Sequence, residues 1–217
     1  MDKLDISLMY VTDDRILDDG RFFEVLNAAL AGGATIIQLR EKSMDTKSFF
    51  ERALRAKEIC ENYNVPLIIN DRLDVALAVN ADGLHIGQKD IPMKIARKFL
   101  GKDKIIGISV SNLNELKVAN NTDADYVGLS PIFSTPTKSE DLASPLGIEG
   151  LKKFKAISKK PIVCIGGVNK TNLEIIFSNG ADGAAVVSAI SSSKNPMNVT
   201  QSLKKIIYHT KSYTFNS

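Results

Sequence analysis

Long apolar runs are missing from this sequence: no stretch of the 217 residues approaches the roughly 20 apolar positions that a bilayer span needs. Asp2, Lys3 and Asp5 interrupt the start of the chain, leaving no apolar export segment. Cysteine is scarce too. Cys60 and Cys164 lie far apart in apolar or helical surroundings, which predicts reduced core thiols rather than a disulfide framework. Two histidines and two unclustered cysteines provide no zinc ligand set. Nor is there an excess of one charge: 28 Lys and Arg against 25 Asp and Glu leave +3, too little to argue for a nucleic-acid or membrane partner. The expectation is a soluble, cytoplasmic chain whose partners are small molecules.

What is present is ordinary in amount and informative in position. An apolar fraction of 44% and a charged fraction of 24% exclude disorder, collagen and a coiled coil as the main structure. The length suits one domain. Short β-branched runs at 6–12, 35–40, 66–70, 83–87, 105–110, 126–130, 161–167 and 183–189 alternate with helix-period segments at 22–31, 46–62, 73–80, 92–100, 112–120, 147–158, 170–179 and 195–209. Several runs are apolar almost throughout, as in a parallel sheet covered by helices. Eight βα units at roughly 27 residues each predict a compact single-domain TIM (β/α)₈ barrel over residues 1–217, with 210–217 as a frayed tail. The rival is a doubly wound open sheet. Small residues and Asp recur just before strands, in Ala31-Gly32-Gly33-Ala34, Ala81-Asp82-Gly83, Asp123-Ala124-Asp125 and Gly180-Ala181-Asp182-Gly183. That repetition of helix C-terminal chemistry favours the barrel.

A barrel places its chemistry at the C-terminal strand ends and in the loops that follow. The second strand ends Gln38-Leu39-Arg40-Glu41-Lys42, and period two puts Gln38, Arg40 and Lys42 on one side. Arg offers a fork and Lys a point charge to a polyanion; a solvated strand exit is the plain alternative. Asp71 and Asp90 close the third and fourth strands, and two carboxylates that leave room for water and phosphate oxygens suit Mg²⁺. Helix capping is the plain alternative for Asp71. The loop at 130–145 is the longest in the chain, and Thr135, Thr137 and Lys138 on it suit phosphate. Gly166-Gly167 after the seventh strand, with the backbone at Val187 and Ser188 after the eighth, forms a candidate phosphate cradle. No covalent nucleophile presents itself. His85 reads as a packed, hydrogen-bonded histidine before it reads as an acid or base, and Cys164 as a small core residue.

Taken in order, Gln38-Leu39-Arg40-Glu41-Lys42, Asn70-Asp71-Arg72, His85-Ile86-Gly87-Gln88-Lys89-Asp90, Tyr126-Val127-Gly128, Thr135-Pro136-Thr137-Lys138 and Ile165-Gly166-Gly167-Val168 resemble thiamine-phosphate synthases. The resemblance runs from about residue 6 to 190. It implies condensation of a hydroxymethylpyrimidine diphosphate with a thiazole phosphate, releasing pyrophosphate, with one Mg²⁺ per subunit. The resemblance places the pyrimidine diphosphate on Gln38, Leu39, Arg40, Glu41, Lys42, Asn70, Ser109 and Lys138, with Arg40, Lys42 and Lys138 as catalytic residues. Thr135, Pro136, Thr137, Gly167, Val187 and Ser188 would hold the thiazole phosphate, and Asp71 and Asp90 the metal. The implied chemistry is dissociative, with departure of pyrophosphate before the thiazole nitrogen attacks. Ser130 departs from the family, many of whose members have Gly there. A thiazole tautomerase of the same fold and a non-catalytic phosphate-ligand binder are the alternatives. A homo-oligomer is left open.

Overall fold

The computed structural model describes residues 4–134 and 144–214. Its strands are β1 (Leu8–Val11), β2 (Ile36–Leu39), β3 (Leu67–Asn70), β4 (Gly83–Ile86), β5 (Ile105–Val110), β6 (Tyr126–Leu129), β7 (Ile162–Cys164) and β8 (Gly183–Val186). The helices are α1 (Asp19–Ala31), α2 (Thr46–Asn62), α3 (Leu73–Ala78), α4 (Met93–Leu100), α5 (Leu113–Ala119), α6 (Gly147–Ile157), α7 (Leu173–Ser178), α8 (Ser188–Ser191) and α9 (Pro196–Thr214). All strands pair in parallel and in chain order, and β1 pairs with β8 to close a TIM barrel. The open-sheet alternative is excluded.

Two apolar layers hold it together. Odd and even strand positions go opposite ways, as the pleat requires. Met9, Val11, Ile36, Ile68, Tyr126, Val163 and Ala185 fill the barrel interior. Leu8, Tyr10, Ile37, Leu39, Leu67, Ile69, Cys60 and Cys164 pack in the layer between strands and helices. Burial pushes the thiols of both cysteines up to about 12, so they are packing residues.

The residue just before each even-numbered strand closes the N-terminal end of the barrel by one device. Asp82 donates its N–H to Leu67 O and accepts the N–H of Leu67 on its own carboxylate at 2.8 Å. Asp125 does the same to Ile106 at 2.7 Å, and Asp182 to Ile162 at 2.8 Å. Thr35 repeats it on Leu8 through its hydroxyl at 3.0 Å. Each acceptor satisfies a strand N–H that the parallel ladder leaves over. Lys57, Arg97 and Lys155 neutralise the three carboxylates. Two of the four repeated segments end helices in the expected way, since Gly33 and Gly180 adopt positive φ; before β4 that conformation falls to Asn80.

Two expectations are corrected. The eighth strand stops at Val186, and the chain turns at once into the short α8 instead of extending to Ala189. The final helix runs on to Thr214 in place of a tail frayed from 210; Thr210 is buried there, and its hydroxyl bonds Ile206 O at 2.8 Å. Among the described residues no helix is long and apolar enough to cross a membrane.

Candidate active site

The C-terminal strand ends converge on one mouth, and β2 supplies its first wall. Gln38, in register with Ile68, is buried, with its Nε2 3.3 Å from Met9 Sδ. Two residues on, Arg40 is half-buried and its guanidinium pairs with Asp14 at 2.7 Å. Thr12 braces the Arg40 backbone by accepting its N–H at 2.9 Å. Asp14, from the loop after β1, is a residue the strand-end reading passed over. Its signal was there in Thr12-Asp13-Asp14-Arg15, a charged run directly after an apolar strand.

Lys42 completes the row by an ion pair with Asp71. Asp71 follows β3 in a left-handed conformation, φ 63°, and its N–H is held by His85 O at 2.8 Å. It does not cap α3, whose N-cap is Arg72, so the capping alternative falls. The Asp71 carboxyl also meets that of Asp90, which accepts the Gly87 N–H at 2.6 Å. Burial first, and then the Asp71 carboxyl beside it, raise the Asp90 pKa above the usual carboxylate range. Two carboxylates pressed together with one ammonium against them are an arrangement that a divalent cation would relieve. Among the described residues no group of three or more His, Cys, Asp or Glu side chains that could hold a metal ion exists.

Asn70 is buried and stands in register with His85. His85 lies inside the barrel mouth, its Nδ1 2.9 Å from the Tyr126 hydroxyl and its Nε2 2.9 Å from Ser109 Oγ. It is the packed, hydrogen-bonded histidine expected from the sequence. Glycine makes the space for it: a Cβ on Gly107 would sit 2.6 Å from His85 Nδ1 and 2.2 Å from Tyr126 Cζ. Ser109 is further fixed by Gln88 Nε2, which donates to its backbone oxygen at 2.6 Å.

Leu39 and Glu41 do not join this wall. Leu39 is fully buried in the layer under the helices. Glu41 turns the same way and its carboxylate is taken by Arg52 Nη1 at 2.6 Å. Alternation along β2 is the physical reason, because 39 and 41 share the face opposite Gln38 and Arg40. Neither side chain presents itself to a ligand in the mouth.

The second anion arrangement lies after β7 and β8. Gly167 has φ 64°, and a Cβ there would lie 2.6 Å from Ser134 O, so both backbone conformation and the close approach of the neighbouring loop require glycine. Its carbonyl is fixed by the side-chain amides of Asn169 and Asn172 at 3.1 and 2.9 Å. Val187 precedes α8 and Ser188 begins it, ahead of the first helical bond from Ile190 N to Val187 O. Leading N–H groups of this kind are donors without intrahelical partners. Asp13 steadies the turn by accepting Ser191 Oγ at 2.7 Å. Thr135, Pro136, Thr137 and Lys138 lie outside the described residues.

A protein-family model described as thiamine monophosphate synthase matches residues 8–190. A thiamine-phosphate synthase of Clostridium novyi is 43% identical over 203 residues, covering 94% of this chain and 99% of the relative. One from Methanobrevibacter smithii is also 43% identical, over 208 residues, 94% of this chain and 97% of the relative. The solved thiamine phosphate pyrophosphorylase of Pyrococcus furiosus superposes with TM-score 0.85 at 35% identity, covering 95% of this chain and 98% of that one. The residues at the mouth of this barrel therefore sit in an enzyme fold whose relatives agree along nearly their whole length, and the chain belongs to the thiamine-phosphate synthase family.

Proposed function

We propose that the mouth joins a hydroxymethylpyrimidine diphosphate to a thiazole phosphate, giving thiamine phosphate and pyrophosphate with Mg²⁺. The observation that carries this reading is the Lys42–Asp71–Asp90 contact beside Arg40. A thiazole tautomerase or a passive monophosphate binder has no use for a basic row set against paired carboxylates.

In this reading Arg40, Lys42 and Lys138 bind the diphosphate and take up the charge that grows on it as the C–O bond breaks. Arg40 exchanges Asp14 for phosphate oxygens, and Lys42 exchanges Asp71. Gln38, Asn70 and Ser109 orient the pyrimidine ring. Asp71 and Asp90 would hold Mg²⁺, which supplies charge neutralisation of the leaving pyrophosphate. Thr135 and Thr137, with the backbone at Gly167, Val187 and Ser188, hold the thiazole phosphate so that its ring nitrogen faces the pyrimidine methylene. Pro136, between the two threonines in sequence, is assigned to the same phosphate. The nitrogen bonds to the methylene carbon and pyrophosphate carries away the electron pair, so no side-chain nucleophile is required. Phosphorylated substrates do not cross membranes unaided, which supports a cytoplasmic location.

The test is turnover in which neither substrate alone reacts, combined with Asp71→Ala. The variant should keep the barrel's circular-dichroism spectrum and lose Mg²⁺-dependent turnover. Full activity in Asp71→Ala removes the metal assignment.

A further inference from the structure

Four buried or half-buried side chains on four different strands follow one another across the barrel interior, Gln38, Tyr126, His85 and Ser109, the last three joined by hydrogen bonds. The His85 contacts at both ring nitrogens are 2.9 Å, and the Gln38 side chain acts on the Tyr126 phenol from its other side. Two facts give the row a direction. Met9 Sδ is an acceptor only, and it lies 3.3 Å from Gln38 Nε2, so the amide turns its NH₂ toward the sulfur and the phenol. Tyr126 is fully buried inside the interior layer, so its hydroxyl must use what these neighbours offer.

We infer that Gln38 donates to Tyr126, Tyr126 to His85 Nδ1, and His85 Nε2–H to Ser109 Oγ, so that His85 and Tyr126 are positioning residues that set the polarity of both ends of the row. With its oxygen already accepting from His85, Ser109 directs its own proton into the mouth. Gln38, with its NH₂ committed, leaves Oε1 as an acceptor. The pair then offers one donor and one acceptor to the ring in the mouth, matching a ring nitrogen and an exocyclic amine. Reversing the row would make Ser109 an acceptor toward the ligand and Gln38 a donor, which suits a 4-oxo pyrimidine instead. This specificity claim rests on the proposed function; the row's direction does not.

The experiment uses the intact chain labelled with ¹⁵N-histidine. It has two histidines, and His209 is exposed on α9, so the spectrum separates simply. At neutral pH His85 should be the Nε2–H tautomer, and Tyr126→Phe should move the Nδ1 signal toward that of an unbonded ring nitrogen, because Nδ1 loses the proton it accepts. In the same preparations, Tyr126→Phe should lower kcat/KM for the pyrimidine diphosphate roughly 10-fold and leave KM for thiazole phosphate unchanged. The 4-oxo analogue should lose roughly 10- to 100-fold in kcat/KM against the 4-amino substrate. An Nδ1–H or doubly protonated His85 in the wild type overturns the inference, and that spectrum alone decides if Tyr126→Phe does not fold. An unmoved Nδ1 signal in a folded Tyr126→Phe overturns it too. Equal use of the 4-oxo and 4-amino substrates breaks the link to specificity. If the tautomer is as stated but neither pyrimidine turns over, the row stands and the synthase reading falls.

Discussion

Arg52 on α2 and Glu41 after β2 form an ion pair at 2.6 Å with both side chains 2% exposed. The same guanidinium reaches Asp19, Ile16 O and Leu17 O, and lies 4.4 Å over the Phe22 ring. One buried cation thus ties the β1–α1 loop, which carries Asp14, to the segment that carries Arg40 and Lys42. Truncating it strands a buried carboxylate.

Arg52→Ala should cost about 3–5 kcal/mol in denaturant unfolding, the range for breaking a buried pair by removing one partner. Glu41→Gln should cost less, because the amide oxygen can still accept from Arg52. A loss under about 1 kcal/mol for Arg52→Ala would show that water replaces the pair.

The barrel-closing aspartates should behave alike. Asp182→Ala leaves the Ile162 N–H without its acceptor, and Asp82→Ala does so for Leu67. Each should lower stability by about 1–3 kcal/mol without changing KM for either substrate, since both lie at the end opposite the mouth. A KM effect would mean the two ends are coupled.

Asp13 predicts a pH dependence. Burial opposes its charge, but bonds from Arg15 and Ser191 outweigh that, and its folded pKa is held below the ordinary 3.8. The stabilisation is therefore complete above the ordinary value and is lost as pH falls through the folded one. The stability gap between wild type and Asp13→Asn should be widest near neutral pH and shrink below about pH 4. A gap that stays constant down to acid pH would contradict it.

Gly167→Ala places a Cβ 2.6 Å from Ser134 O at φ 64°. It should cost about 1–2 kcal/mol of stability and raise KM for thiazole phosphate about 10-fold or more, the loss of one or two phosphate contacts. KM for the pyrimidine diphosphate should change little. Equal effects on both substrates would merge the two anion sites into one.

Local pattern carried most of the fold. Alternation of apolar runs with helix-period segments is a short-range signal, and all eight strands fall within the spans it marked, the seventh and eighth ending three residues early. It missed α8 and read part of it as strand, because the eighth apolar run continues to Ala189 in composition while the backbone turns at Val187. At the site, period two grouped Gln38, Arg40 and Lys42, and the same rule turns Leu39 and Glu41 away once applied to them. What could not be read was pairing across the chain. That Glu41 meets Arg52, that Arg40 meets Asp14, and that Gly107 and Gly128 leave room for His85 are consequences of barrel closure, which no window of sequence contains.

In the proposed reaction this mouth couples two phosphorylated substrates through loss of pyrophosphate. The most direct measurement supplies both substrates with Mg²⁺ and quantifies pyrophosphate and thiamine phosphate together. One pyrophosphate per thiamine phosphate, and neither product when a substrate or the metal is withheld, is the predicted result. Binding or isomerisation of the thiazole phosphate with no pyrophosphate released would contradict it.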